Sequence, residues 1–318
     1  MMHFIGTLIL ILLLALVVFA LFSAFVARKV TQAFAPTGAF LEVDGERIHY
    51  RALGDGPAAL VLVHGLAGQM RNFDYLPLED LAKRWRVVLV DRPGSGLSPR
   101  RDPSRAGIGA QGRLVAHFIR ALQLPRPPLL VGHSLGGAIA LSAALQDPDA
   151  IAGLALIAPL THDDGRAPAA PFRPLAIRLP WLRNLVSRTL AVPLGILKGR
   201  SAVEQVFAPE PAPRDFPVRG GGLLGLRPSA FRASSEDLVA LKHELPVQQR
   251  RYGELRLPVR ILYGEGDEML DWRSQGEALR AKVAQAQLTV VPGGHMLPVT
   301  QAAGTAAWLD EAAQATLR

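Results

Sequence analysis

Leu129-Leu130-Val131-Gly132-His133-Ser134-Leu135-Gly136-Gly137-Ala138 is the stretch on which the reading of this chain turns. A short apolar run ends in Gly-x-Ser-x-Gly and passes into an Ala/Leu-rich segment reaching Leu145. That is the pattern of a strand, a sharp turn and a helix, with a serine at the tip of the turn. Gly132 and Gly136 carry no Cβ, so strand and helix can approach each other closely on either side of Ser134. The hydroxyl is then exposed above the strand, and the Leu135 N–H at the helix start faces the same space. A capping serine at a glycine-rich helix start has the same local sequence. Partners elsewhere in the chain separate the two readings.

Working outward, short apolar runs recur. Leu60 to Val63, Val87 to Val90, Leu154 to Ile157, Val259 to Leu262 and Leu288 to Val291 resemble Leu129 to Val131 and fit strands buried on both faces. Before them, Phe40 to Val43 and Arg47 to Arg51 alternate around Asp44-Gly45, a hairpin signal. Helical stretches are expected at Phe73 to Arg84, Gln111 to Leu122, Leu135 to Gln146, Ser274 to Ala284 and Ala302 to Ala315. A hairpin followed by alternating strand and helix implies an α/β fold with a mostly parallel, doubly wound sheet of eight strands. Asp163 to Leu245 breaks the rhythm: it is proline-rich, has no good strand, and suggests helix only around 175–190 and 235–242. It reads as a helical lid over the strand C-terminal ends. Seven basic and no acidic residues lie from Arg166 to Arg200, among apolar side chains such as Trp181 and Leu185. An ordinary insertion with solvated arginines has this composition, and so does a surface that rests on lipid.

A serine hydroxyl needs a base, a group that orients the base, and donors for the oxyanion. Of eight histidines, His295 is the best base: it lies in Pro292-Gly293-Gly294-His295, just past the last strand. Asp267, in Tyr263-Gly264-Glu265-Gly266-Asp267 after the preceding strand, is the favoured orienting acid, because Gly264 and Gly266 let that loop turn back. Glu265, Glu268 and Asp271 are close rivals, and Asp163 and Asp164 weaker ones. His64-Gly65-Leu66-Ala67-Gly68 follows the third strand. The N–H groups of Leu66 and Leu135 would form the oxyanion pair, with the His64 imidazole holding its loop and taking no part in chemistry.

Taken in order, His64-Gly65, Asp91-Arg92-Pro93-Gly94-Ser95-Gly96-Leu97-Ser98, Gly132 to Gly137, Gly264 to Asp267 and Gly294-His295 make the chain resemble an α/β-hydrolase fold serine hydrolase over roughly residues 40–160 and 246–318. The resemblance implies the chain order Ser134, Asp267, His295 for a triad. It also implies a structural role for the Asp91 segment, and no metal or organic cofactor. Dehalogenases and epoxide hydrolases of the fold use an aspartate at the position of Ser134. Epoxide hydrolases also need lid tyrosines, and Asp163 to Leu245 has none. Hydrolysis of carboxylic esters through an acyl-enzyme is the expectation, with apolar or lipid-derived substrates suggested by the lid. A C–C bond hydrolase or cofactor-free perhydrolase would use the same triad. A hydrolase-fold binding or sensor protein with little turnover is a reading of another class.

The expected division is 1–30 anchor, 31–160 core, 161–245 lid and 246–318 core. Phe4 to Ala27 is almost wholly apolar and, at 24 residues, long enough to span a bilayer. Only Met1, Met2 and His3 precede it, which favours an uncleaved anchor over a signal peptide. Arg28 and Lys29 follow and lean the orientation toward a cytoplasmic catalytic domain. The chain has no cysteine, which removes disulfides, thiolate metal sites and a cysteine nucleophile. The net charge is +8, but no basic run interleaved with aromatics marks a nucleic-acid groove. Membrane lipid and a small ester are the expected partners.

Overall fold

The computed structural model describes residues 1–317, with only the backbone of Met2. Eight strands form one sheet: β1 (Ala39–Val43), β2 (Glu46–Leu53), β3 (Ala59–Val63), β4 (Arg86–Val90), β5 (Leu129–His133), β6 (Gly153–Ile157), β7 (Val259–Gly264) and β8 (Ala286–Val291). Their spatial order is β1-β2-β4-β3-β5-β6-β7-β8. The hairpin β1–β2 is antiparallel and joins β4 antiparallel, while every pairing from β4 to β8 is parallel. Parallel pairing requires crossovers, so helices cover both faces.

The two-residue period of the strands sorts their side chains between two cores. Val61, Val63, Leu130, Leu154 and Leu156 pack with α3 (Ile108–Ala121) and α4 (Leu135–Gln146). Leu60, Leu62, Leu129, Val131 and Ile157 pack on the other face with α2 (Leu78–Ala82) and α10 (Ala302–Thr316). Each buried leucine of this kind contributes about 1.5–3 kcal/mol. α4 is apolar all round and buried from Leu135 to Ala144, which fixes the strand–turn–helix at the centre of the molecule.

Between β6 and β7 the chain leaves the sheet and forms α5 (Pro180–Arg188), α6 (Ala191–Phe207) and α7 (Pro228–Gln248). Here the structure departs from the expected helices. α6 lies where none was expected, because Pro193 and two glycines, Gly195 and Gly199, mask it. Pro193 falls within the first turn, where a missing N–H costs nothing. α7 runs well beyond 235–242 at both ends, and its buried stripe includes Glu236 and Asp237, so it carries little apolar signal. Phe73 to Arg84 is not one helix: a 3-10 turn ends at Phe73 and α2 starts only after Pro77. Ser274 to Ala284 splits into a π-helical turn, Arg273–Glu277, and the short α8 (Ala278–Lys282). α9 (Leu297–Thr300) follows the loop after β8.

The N-terminal helix α1 (Met2–Ala33) is long and apolar enough to cross a membrane. It continues through Thr31-Gln32-Ala33, past the expected end of the anchor at residue 30, because Val30 and Phe34 are buried against Leu224 of the insertion. The Ser23 hydroxyl, fully buried, donates to the Thr189 carbonyl at 3.1 Å.

Candidate active site

β5 delivers Ser134 to the C-terminal edge of the sheet. Its φ is +56° and ψ −121°, a left-handed conformation rare for a residue with a Cβ. Strain of this kind costs about 1–3 kcal/mol and persists only where the surroundings enforce it. The enforcement is visible. The Ser134 N–H donates to Ile157 O at 3.0 Å, and its carbonyl accepts from Gly137 and Leu160, both at 2.9 Å. A Cβ on Gly136 would lie 2.2 Å from the Val63 carbonyl oxygen, and one on Gly132 2.5 Å from that of Gly136. Both glycines are therefore required by close approach.

His295 and Asp267 come together across two neighbouring loops. β7 and β8 end side by side, and the Glu265 and Gly266 N–H groups donate to Val291 O and Gly293 O at 2.8 and 2.9 Å. A Cβ on Gly264 would strike the Gly293 carbonyl at 2.3 Å, so only glycine lets the loops meet. Asp267 Oδ2 lies 2.8 Å from His295 Nδ1, and both side chains are almost fully buried. The Asp267 Oδ1 atom is held by the Met269 and Leu270 N–H groups at 2.8 and 2.9 Å. The carboxylate can only accept, so the proton sits on Nδ1 and the lone pair on Nε2. The rival acids do not reach this position. Glu265 and Glu268 are exposed, Asp271 accepts from Arg273 N–H, and Asp163 and Asp164 bond within their own turn.

His133, the residue before the serine, backs His295. The rings are 5.0 Å apart, and His133 Nε2–H donates to the His295 carbonyl at 3.0 Å. Burial, with the nearby His295, pushes its pKa down to about 3, so it stays neutral and donates. Ser134 and His295 line one cavity, but among the described residues neither Ser134 Oγ nor His295 Nε2 makes a hydrogen bond. Catalytic hydrogen bonds are often loose until a substrate is bound.

The loop after β3 is pressed onto the serine: a Cβ on Gly65 would lie 2.9 Å from Ser134 Cβ. The Leu66 N–H donates to no acceptor among the described residues, and the Leu135 N–H, first in α4, has none within its helix. Both fit the expected oxyanion pair in being free. His64 is a brace: Nδ1–H donates to Gly65 O at 2.9 Å and Nε2 accepts the Arg92 N–H at 3.1 Å. Burial holds its pKa well below the usual imidazole value.

Three contributors went unseen in the sequence. The Arg92 guanidinium donates to His64 O at 3.1 Å and Gly65 O at 2.8 Å, fixing the loop that carries Leu66. Asp237 of α7 in turn holds Arg92 at 2.9 Å and also Arg100. Glu210, also from the insertion, accepts the Gly294 N–H at 2.9 Å, next to His295. Arg92 stood inside a quoted motif; Asp237 and Glu210 meet partners 145 and 84 residues away and carry no local signal.

The cavity holds about 430 Å³ and is lined mainly by apolar side chains, including Phe172, Leu175, Val203, Phe207, Phe216 and Met296. Its polar lining is Gln69, Asn72, His133, Ser134, His295 and, from α6, Lys198.

The model of the alpha/beta hydrolase fold family matches residues 58–302. The chain belongs to that family. It is 31% identical over 201 residues to a pimeloyl-[acyl-carrier protein] methyl ester esterase of Sodalis glossinidius, covering 60% of this chain and 75% of that one. It is 32% identical over 127 residues to the dihydrolipoyllysine-residue acetyltransferase component of the acetoin cleaving system of Cupriavidus necator, covering 39% of this chain and 33% of that one. The chain thus spans about a third of the length of this second relative. Among solved structures, that of a membrane phospholipase A superposes with a TM-score of 0.70 at 24% identity, over 100% of both chains. At that identity the likeness carries the fold.

Proposed function

We propose that this hydrolase cleaves carboxylic esters with an apolar acyl part, using Ser134 as nucleophile, His295 as general base and Asp267 as its orienting partner. The observation that carries the proposal is the 2.8 Å Asp267–His295 contact beside a strained serine in one apolar cavity. The Ser134 hydroxyl attacks the ester carbonyl while His295 Nε2 takes its proton. The oxyanion collects the Leu66 and Leu135 N–H groups. His295 then protonates the leaving alcohol, and water, deprotonated by the same nitrogen, releases the acid. The relative named as a methyl ester esterase acts on an ester bond, in keeping with this reading.

The helical insertion serves as a lid over the cavity, with the division 1–30, 31–160, 161–245 and 246–318 as its working boundaries. α1 stays attached as a single-pass anchor, and Arg28 and Lys29 at its end favour a cytoplasmic catalytic domain. The test is hydrolysis of p-nitrophenyl esters across acyl lengths by the full chain in detergent micelles, wild type against Ser134→Ala. Activity that rises with acyl length and vanishes in the variant supports the reading. Equal activity in the variant, or none on any ester, removes it.

A further inference from the structure

α5 and α6 turn an apolar face outward. Trp181, Leu185, Leu190, Leu194 and Leu197 are 64, 40, 38, 48 and 76% exposed. Scattered apolar residues on a surface need no explanation, but five on one helix pair mark a surface that meets something. Exposed basic residues flank them: Arg178, Arg188, Lys198 and Arg200. What covers this face follows from α1.

The helix has 32 residues, so it is about 48 Å long at 1.5 Å per residue. The hydrocarbon core takes about 20 of them, and the apolar run starts at Phe4. The core boundary therefore falls close to Ser23. That is where α1 is fastened to the insertion, through the buried Ser23–Thr189 bond at the junction of α5 and α6. From there outward Val26, Val30 and Phe34 pack on Leu223, Leu224 and Leu226, so the attachment is a continuous seam. On the membrane side, Leu16, Val17 and Ala20 face Asn184, Leu185 and Arg188 across a shallow groove. Once α1 is in a bilayer, α5 and the start of α6 have no place to lie except the adjoining interface. An apolar face with basic flanks is the composition that binds there. α6 also lines the cavity, and Leu194 belongs to both surfaces. Lys198, one turn further, is the one charged side chain lining the cavity among the described residues.

We propose that α1 and the outer face of α5–α6 form a single lipid-bound surface, and that an ester-bearing amphiphile enters the cavity from the leaflet past Leu194, its polar headgroup meeting Lys198. Seating on the bilayer is independent of the esterase reading; entry from the leaflet rests on it.

The chain lacks cysteine, so a single introduced thiol gives a unique label. Full-length Leu197→Cys carrying an environment-sensitive fluorophore is placed in vesicles of phosphatidylcholine with phosphatidylglycerol. Glu254→Cys, exposed at the opposite rim of the sheet before β7, is the control. The Leu197 label is expected to shift to the blue and to be quenched by acyl-chain-brominated lipid, and the Glu254 label to do neither. A water-like spectrum at Leu197 overturns the proposal. So does a blue shift without bromolipid quenching, which would put a protein surface such as a second copy there.

Leu197→Glu then tests entry. Turnover of a water-soluble short-chain ester is expected to stay as in wild type, while hydrolysis of a long-chain ester embedded in the vesicles falls roughly tenfold or more, as losing one lipid-buried leucine implies. Equal hydrolysis of the embedded ester by both proteins overturns entry from the leaflet. If wild type cleaves neither ester, the esterase reading fails while the label still decides the seating.

Discussion

Asp237 is the acid whose loss should be felt furthest from its own helix. Its carboxylate is 2% exposed and serves two guanidinium groups, Arg92 and Arg100, each 1% exposed. Asp237→Asn keeps the shape and removes the charge, so no cavity complicates the result. Leaving a buried cation without its counter-charge costs about 3–5 kcal/mol. Both arginines keep other partners: Arg100 has Glu236 at 3.2 Å, and Arg92 has Gln111 at 2.6 Å and the His64 and Gly65 carbonyls. The loss should therefore sit at the low end, about 3 kcal/mol. For a domain of this size that is a fall in Tm of roughly 6–12 °C. A second effect should accompany it. Arg92 holds Gly65 O, so relaxing it loosens the Leu66 N–H, and kcat should drop about tenfold with KM little changed if that donor serves the transition state. The assay is thermal unfolding of the full chain in detergent, with ester kinetics on the same samples and the exposed Asp149→Asn as control. A Tm within 2 °C of wild type, roughly the effect of under 1 kcal/mol, would refute the view that this carboxylate holds the network together.

Three further outcomes follow from the geometry. Ser134→Ala should abolish labelling by a fluorophosphonate probe and lower kcat by about four orders of magnitude or more, leaving Tm near or above wild type because positive-φ strain does not depend on the hydroxyl. Gly65→Ala should fold but lose roughly a hundredfold in kcat, since a Cβ 2.9 Å from Ser134 Cβ must displace one of them, and an active variant would show that the loop has room to spare. His133 is neutral when folded, with its pKa near 3 against about 6.5 unfolded, so the unfolded state binds more protons between those values. Its contribution is complete above the unfolded pKa and is lost as pH falls toward 3, by up to about 1.4 kcal/mol per pH unit. Urea unfolding at pH 7 and pH 5 should therefore show a shallower loss for His133→Gln than for wild type, and identical slopes would exclude His133 as the source.

The places of the strands along the chain and of the sharp turn at Ser134 were legible because they are written in short-range patterns. Continuous apolar runs such as Leu60 to Val63 have a single reading once helices alternate with them. Gly264 marked a loop that turns back, and the close approach it permits to Gly293 and Gly294 is what joins Asp267 to His295. α6 was illegible because glycine and proline lower its intrinsic helix propensity and its helicity comes from packing over the cavity. The brace from Asp237 to Arg92 was illegible for another reason. A buried acid in a helix looks like a solvated one until its partner, 145 residues away, is placed beside it.

The insertion is fastened at α7 by Asp237 and before it by Glu210, and both fastenings end on loops that flank the serine. α5 and the first turns of α6 make no hydrogen bond to those loops among the described residues, though they form much of the cavity wall, while the end of α6 is held by Phe207 packed on Met296. The molecule is thus divided into a part that cannot drift without disturbing the chemistry and a part that can. On the proposed reading, substitutions along the first turns of α6 resize the chamber, and so exchange one acyl chain for another, while Ser134 and His295 stay where they are.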